Sequence, residues 1–331
     1  MEMDKELIIK SEKYIIRPYQ AEDEDAVLSL WQTVFGKDIN RDYWQWKYSK
    51  NPYGNRILLC VKETGEVVVM YSGIPYRANM DGESLEIIHL SDIMSHPDYR
   101  KTGLFIKTVE AFIAYFGGPQ KAVLFYGFPG MYHFDIGRKY LEYRELSGGV
   151  QFLSVTIKDL SENDHSRGCV TRISNIDDVG KDIWPECQKY FPFSVIRDKQ
   201  FLKWRFQMNP IHSYKIYGYA LNPDSQLIGY AAFAQDEDTL IMVDLLMPPS
   251  LAMVQDFMAI MAAEFIKQNI KKAKTWLPAN HFLNNILVSC GFDVQPEPLG
   301  FVPTGRSFSP CLPWDWGSQN MYYSMADADL F

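Results

Sequence analysis

The chain is 331 residues long, 47% hydrophobic and 22% charged, with a formal net charge of −8. That length and composition predict about two globular domains rather than a disordered or fibrous chain. The acidic balance argues against nucleic acid as a partner, which would call for a basic face. No apolar run reaches the roughly 18–20 residues of a membrane span, and the charged start Met1-Glu-Met-Asp-Lys-Glu6 lacks the apolar region of a secretion signal. Five cysteines, at 60, 169, 187, 290 and 311, are spaced too widely for a disulfide framework or a zinc site. The expected location is the cytoplasm, with no membrane partner and no metal.

In chain order, Tyr14–Pro18 reads as a strand and Asp23–Phe35 and Arg41–Ser49 as helices. Arg56–Lys62, Val67–Ala78 and Ser84–Ser95 are strands, joined by the turns Glu63-Thr-Gly-Glu66 and Asp81-Gly82. Phe105, Val109, Phe112 and Ile113 recur at helical spacing, so Thr102–Phe116 is a helix, stopped by Gly117-Gly118-Pro119. Ala122–Tyr126 is a strand, Met131–Lys139 a helix, and Leu141–Glu145 and Gln151–Ile157 two further strands. Lys158–Gly168 is polar and turn-rich and reads as a linker. Beyond it the predicted helices are Asp177–Tyr190, Asp198–Gln207, Leu251–Gln268 and His281–Ser289. The strands are Cys169–Ile173, Tyr214–Ala220, Gln226–Ala234, Thr239–Leu246, Ala273–Leu277, a segment near Val294–Val302, and Met321–Met325. The alternation predicts an α/β protein with helices on both faces of mixed sheets.

The chain also repeats itself. Trp46-Lys-Tyr-Ser-Lys-Asn-Pro52 corresponds to Trp204-Arg-Phe-Gln-Met-Asn-Pro210, and Ser91-Asp-Ile-Met-Ser-His-Pro97 to Val243-Asp-Leu-Leu-Met-Pro-Pro249. Phe128-Pro129 matches Leu277-Pro278, and Leu141-Glu-Tyr143 falls on Cys290-Gly-Phe292. Matches in one order point to a duplicated domain, with copies at 1–157 and 169–331 and the linker at 158–168.

The strongest functional motif is His96-Pro-Asp-Tyr-Arg-Lys-Thr-Gly-Leu-Phe105, between an apolar strand and a helix. The first amides of a helix lack intrahelical partners and sit at the positive end of its dipole, so the motif predicts an anion site. Gly103 lets the backbone approach the anion closely. Pro97-x-Tyr99-Arg100-x-x-Gly103-x-Phe105 resembles the acyl-CoA signature of the GNAT N-acetyltransferases, whose loop reads Arg/Gln-x-x-Gly-x-Gly/Ala and cradles the CoA pyrophosphate; Phe105 stands where that family has its last small residue. The resemblance implies two tandem GNAT-like domains, each a mixed, mostly antiparallel central sheet flanked by helices. Only the first copy carries the loop. Opposite Arg100-Lys-Thr-Gly-Leu-Phe105 the second has Ala252-Met-Val-Gln-Asp-Phe257, where the glycine is gone and a carboxylate enters, so that copy is expected to be degenerate.

By resemblance, acetyl-CoA or another acyl-CoA is the co-substrate. Ile93, Met94 and Ser95 would hold its pantetheine, and Arg100, Lys101, Thr102, Gly103, Leu104 and Phe105 its pyrophosphate. Asp92, near the strand end, is the candidate base, although a turn-capping role is open and its counterpart Asp244 favours the latter. The family's acid is a Tyr four residues before a Gly-Phe pair; Arg138 holds that place, and Tyr132, Tyr126 and Tyr140 are the substitutes, Tyr132 being chosen. Trp44 and Tyr53 become Leu202 and Ile211 in the second copy, which makes them acceptor candidates, with His89 as a further one. Asp327 and Asp329 also enter as carboxylates that could reach an amine.

The leading expectation is an acyl-CoA-dependent N-acetyltransferase acting on a small-molecule or peptide amine. The alternatives are a non-catalytic CoA-binding or interaction protein on the same scaffold and, against the negative charge, an aminoacyl-tRNA-dependent peptide ligase. No Gly-x-Ser-x-Gly elbow, Walker loop or Gly-x-Gly-x-x-Gly is present, which argues against hydrolase, nucleotidase and dinucleotide chemistry.

Overall fold

The computed structural model describes residues 4–9, 11–160, 168–179 and 183–329. Most of the expected linker, 161–167, lies outside the described residues, as do 180–182 of the expected helix Asp177–Tyr190. The chain divides into two compact units. One comprises Met1–Tyr76, Glu86–Gly127 and Ser307–Leu312, the other Arg77–Leu85, Phe128–Arg306 and Pro313–Phe331.

The first unit runs β1 (Lys5–Ile9), β2 (Glu12–Pro18), α1 (Glu24–Phe35), α2 (Arg41–Lys47), β3 (Arg56–Lys62), β4 (Val67–Met80), β5 (Glu83–Leu90), β6 (Met94–Ser95), α3 (Leu104–Phe116) and β7 (Ala122–Gly127). Strands β1 to β4 pair antiparallel in sequence order, β6 pairs with β4, and β5 runs parallel to β7. Strands β3 and β4 are buried nearly throughout, as two-sided cover by helices requires. The first strand, β1, was not expected: its burial is shallow, so its apolar signal is weak.

The second unit holds α4 (Met131–Tyr140), β8 (Arg144–Glu145), β9 (Val150–Thr156), α5 (Ile157–Leu160), β10 (Cys169–Ile173), α6 (Trp184–Cys187), β11 (Phe193–Val195), α7 (Lys199–Leu202), β12 (Lys215–Ala220), β13 (Gly229–Asp236), β14 (Thr239–Leu246), α8 (Leu251–Lys267), β15 (Lys272–Pro278), α9 (Phe282–Ser289), β16 (Asp293–Gln295), β17 (Thr304–Ser307), α10 (Trp314–Asn320) and β18 (Met321–Tyr322). Strands β10, β12, β13 and β14 pair antiparallel, β14 and β15 parallel, and β9 lies antiparallel between β15 and β16. Both halves thus carry mixed, mostly antiparallel sheets with flanking helices in the same order.

Two differences from the sequence reading matter. Strand β9 was read as closing the first copy, but all seven of its residues pair with β15 in the second sheet. The alternation of Leu153 and Val155 toward the core announces a strand and not its partner. The β4–β5 hairpin is also longer than its counterpart. The repeat offset falls from 158 residues at Trp46/Trp204 to 152 at Asp92/Asp244. The extra length forms the arm whose residues Ala78–Met80 pair with β11, while β18 pairs with the same β11.

Candidate active site

The site in the first unit starts from a break in a strand. The parallel ladder of β5 and β7 runs to His89/Tyr126 and ends there. Residues 91–93 then leave the regular strand, and Met94 and Ser95 rejoin the sheet against Met70 and Val69 of β4. The sequence reading had one unbroken strand over Ser84–Ser95. Ser72 explains the interruption: its carbonyl accepts from Ser91 N (3.1 Å) and its hydroxyl donates to Ser91 O (2.5 Å). A side chain thus supplies a bond the ladder lacks. Next to it Gly73 permits close approach, since a Cβ there would lie 2.2 Å from Ile88 Cγ2 and 2.8 Å from His89 O.

The break places Asp92 in a left-handed conformation, φ 54°, a region that Asp tolerates better than most residues. Its side chain is only 8% exposed and pairs with Lys47 Nζ at 2.7 Å. The hydroxyl of Tyr48 donates to the same oxygen, Oδ2, at 2.7 Å. Both partners come from the end of α2, which starts at Asn40, whose side chain caps Tyr43 N. Burial, and then the Asp92 charge, push the Tyr48 hydroxyl well above its ordinary pKa, so it stays a neutral donor.

The loop follows directly. His96 N donates to Val68 O (2.9 Å), Pro97–Tyr99 forms a 3-10 turn, and Arg100 Nε reaches back to Ser95 O (3.3 Å). Thr102 Oγ1 donates to Tyr99 O (2.6 Å). Lys101 and Gly103 both have positive φ, 65° and 87°. Gly103 is the N-cap of α3, 13 residues long, and a side chain at 103 would find no neighbour within 4 Å. The α3 N-terminus therefore presents its first-turn amides, with open space over Gly103. The ring of Phe105 turns to Tyr71 of β4, centroids 6.1 Å apart.

Of the candidates named from sequence, Asp92 and the stretch Ile93–Phe105 are contiguous in the first unit. His89 is buried in that unit, its ring 5.2 Å from that of Tyr126. Tyr53 is half-buried, with its ring 6.3 Å from Tyr76. Trp44 is 0% exposed, between Tyr19 and Tyr48, and is a core residue. Tyr132 is 74% exposed on the first turn of α4, in the other unit. Sequence reasoning missed Lys47 and Ser72, and placed Tyr48 only among the aromatic residues crowding the second helix as possible pocket walls, without its bond to Asp92. The only signal for Lys47 was the basic residue that the repeat keeps as Arg205.

The counterpart region of the second unit is built differently. Asp244 lies inside β14, just past a bulge at Val243. It accepts from Arg197 Nε (3.2 Å), from Ser324 Oγ (2.7 Å) and from the Tyr230 hydroxyl. Arg197 also pairs with Asp327, and all of these groups are fully buried. Burial opposes the Arg197 charge, but Asp244 and Asp327 hold its pKa well above ordinary; burial raises the Asp327 carboxyl. Asp327 therefore serves this network and not an acceptor amine. Asp256, beside the position of the lost glycine, accepts from Gly168 N and Tyr219 OH, each at 2.7 Å.

The break, the loop and the sheets together define a class. Residues 15–140 match the family described as Acetyltransferase (GNAT) domain. A conserved Enterococcus faecalis V583 protein of unknown function superposes with a TM-score of 0.70 at 15% identity, over 90% of this chain and 73% of that one. A GCN5-related N-acetyltransferase from Anabaena variabilis ATCC 29413 gives 0.64 at 14% identity, over 90% and 74%. One from Kribbella flavida gives 0.65 at 13%, over 89% and 71%. No curated protein sequence matches the chain. Residues 15–140 thus match a GNAT domain, and the chain has a GNAT-like fold with two mixed sheets, a scaffold that supports acyl transfer in general. Among the described residues no helix is long and apolar enough to cross a membrane.

Proposed function

We propose that the protein is an acyl-CoA-dependent N-acyltransferase, with acetyl as the expected group and a small-molecule or peptide amine as acceptor, acting in the cytoplasm. The unit that carries β1 to β7 is the donor module. The observation that carries this reading is the geometry around Gly103: a left-handed glycine, φ 87°, opening a long helix directly after a broken strand edge. In this reading the loop Arg100 to Phe105 holds the CoA pyrophosphate at the start of α3. The edge Ile93–Ser95 receives the pantetheine and aligns the thioester, so that transfer is effectively intramolecular.

The acceptor amine must be neutral to attack the thioester carbonyl. Both hydrogen bonds to Asp92 fall on Oδ2, so Oδ1 is the oxygen assigned to take the amine proton as the N–C bond forms and the C–S bond breaks. Lys47 and Tyr48 orient that carboxylate. Tyr53 and His89 are assigned to bound the acceptor side, with Trp44 backing it from the core. A second reading, a CoA-binding protein without turnover, is favoured by one observation: the buried ion pair with Lys47 already satisfies the carboxylate a base would need.

Thermal unfolding with and without acetyl-CoA tests the donor site. Ligand at about 100 times its dissociation constant adds about 2.7 kcal/mol to the stability of the unit that binds it. The expected result is a rise in Tm of several degrees, lost in Gly103→Glu. No rise in the wild-type protein overturns both readings. A rise without acyl transfer to any of a panel of amines favours the second.

A further inference from the structure

The second sheet opens between β14 and β15. Their parallel ladder runs from Thr239/Lys272 to Ile241/Lys274, and Thr275 Oγ1 donates to Met242 O (2.7 Å) just beyond. In the first sheet the equivalent opening lies past His89/Tyr126, where the proposed donor edge begins. In the second the space holds polypeptide. The turn Met325–Asp327 packs on both β14 and β15, and each residue from Tyr322 to Asp327 is fully buried.

This segment is held by named polar groups as well as by shape. The Tyr322 hydroxyl donates to Leu245 O on the strand that would offer the donor edge. Ser324 Oγ donates to Asp244 Oδ1 (2.7 Å), and Arg197 pairs with Asp327. Arg205 donates through Nε to Ala326 O (2.9 Å) and through Nη2 to Ala328 O (3.3 Å). Tyr323 reaches the far side, its hydroxyl donating to Gly149 O (2.7 Å) and its ring 6.1 Å from Trp276. Main-chain carbonyls read by a guanidinium, and a Ser and an Asp side chain each met by a buried charged partner, are the elements of peptide recognition.

We propose that the opening of the second sheet is a peptide-binding site whose ligand is this chain's own segment 321–329, and that this tethered peptide excludes an acyl donor from the second unit. The proposal goes beyond the function assigned to the first unit and stands apart from it.

Hydrogen–deuterium exchange on the full chain, with and without coenzyme A, tests it. The expected result is that amides of 321–329 exchange within about tenfold of those in β14, as one cooperative unit would, and that coenzyme A slows exchange at 94–106 but not at 239–257. A coenzyme A footprint on 239–257 overturns the proposal, as does exchange of 321–329 at the rate of a free peptide. Slow exchange of 321–329 with no footprint anywhere supports the peptide site while sinking the donor reading of the first unit. In the folded variant Ser324→Ala/Asp327→Asn, exchange over 321–329 should rise more than about tenfold with the 94–106 footprint retained; an unchanged rate in that variant counts against the proposal.

Discussion

Asp92 and Asp244 occupy the same place in the two copies and are built into opposite situations. Asp92 follows a strand break, takes a left-handed backbone, and uses one oxygen for both of its partners. Asp244 lies within β14, just past a bulge at Val243, 1% exposed, with both oxygens engaged by Arg197, Tyr230 and Ser324. Ser72 and Tyr230, counterparts at the same offset as the tryptophans, divide the two outcomes. The serine hydroxyl binds main chain and stabilises the break, whereas the tyrosine hydroxyl binds the carboxylate itself. A retained aspartate is therefore no sign of a retained role; its role follows from how many of its lone pairs the protein has already used.

The largest effect should come from Arg197→Ala. It leaves two buried carboxylates without their cation, a kind of loss that costs about 3–5 kcal/mol. Urea unfolding should show that cost in the second unit. Equal destabilisation by Lys47→Ala would erase that distinction, because the partners of Asp92 fall on one oxygen and those of Asp244 on both.

A smaller effect concerns acid. Burial lowers the His281 pKa to about 3, so the ring is neutral in the folded protein and charges on unfolding at mildly acidic pH. The stability it contributes is present above its unfolded pKa near 6.5 and is lost as pH falls toward about 3, at up to about 1.4 kcal/mol per pH unit. His281 Nδ1 caps α9 by accepting from Leu283 N, a task Asn can perform. His281→Asn should flatten this part of the pH–stability profile; an unchanged slope would show that the ring is not the group that titrates.

The smallest effect is expected at Ser72. Ser72→Ala removes one buried hydrogen bond at a cost of about 1 kcal/mol. It should also loosen the backbone at 91–93, raising the KM for acetyl-CoA more than it lowers kcat, whereas Ser72→Thr should restore the hydrogen bond. Loss of stability with unchanged KM would make the serine structural only.

Strands with dense β-branched and aromatic runs were legible from sequence: Arg56–Lys62, Cys169–Ile173 and Thr239–Leu246 end where expected. The loop at Gly103 was legible because a left-handed position beside a helix start selects for glycine. The break at 91–93 was not, since it depends on a hydroxyl 19 residues away. Nor was the Lys47–Asp92 pair, formed across 45 residues by a lysine that reads as part of an aromatic helix. Phe193–Val195 and Trp314–Asn320 were missed as elements because each is too short to show a period.

Strand β11 has one further consequence. It lies between the arm Ala78–Met80, antiparallel on one side, and Met321–Tyr322, parallel on the other. During synthesis the arm leaves the ribosome long before β11, and Met321 long after it. The second unit therefore cannot close while its central residues are being made. A nascent chain halted anywhere between Val195 and Met321 exposes a bare sheet edge of the kind on which chaperones and neighbouring nascent chains act.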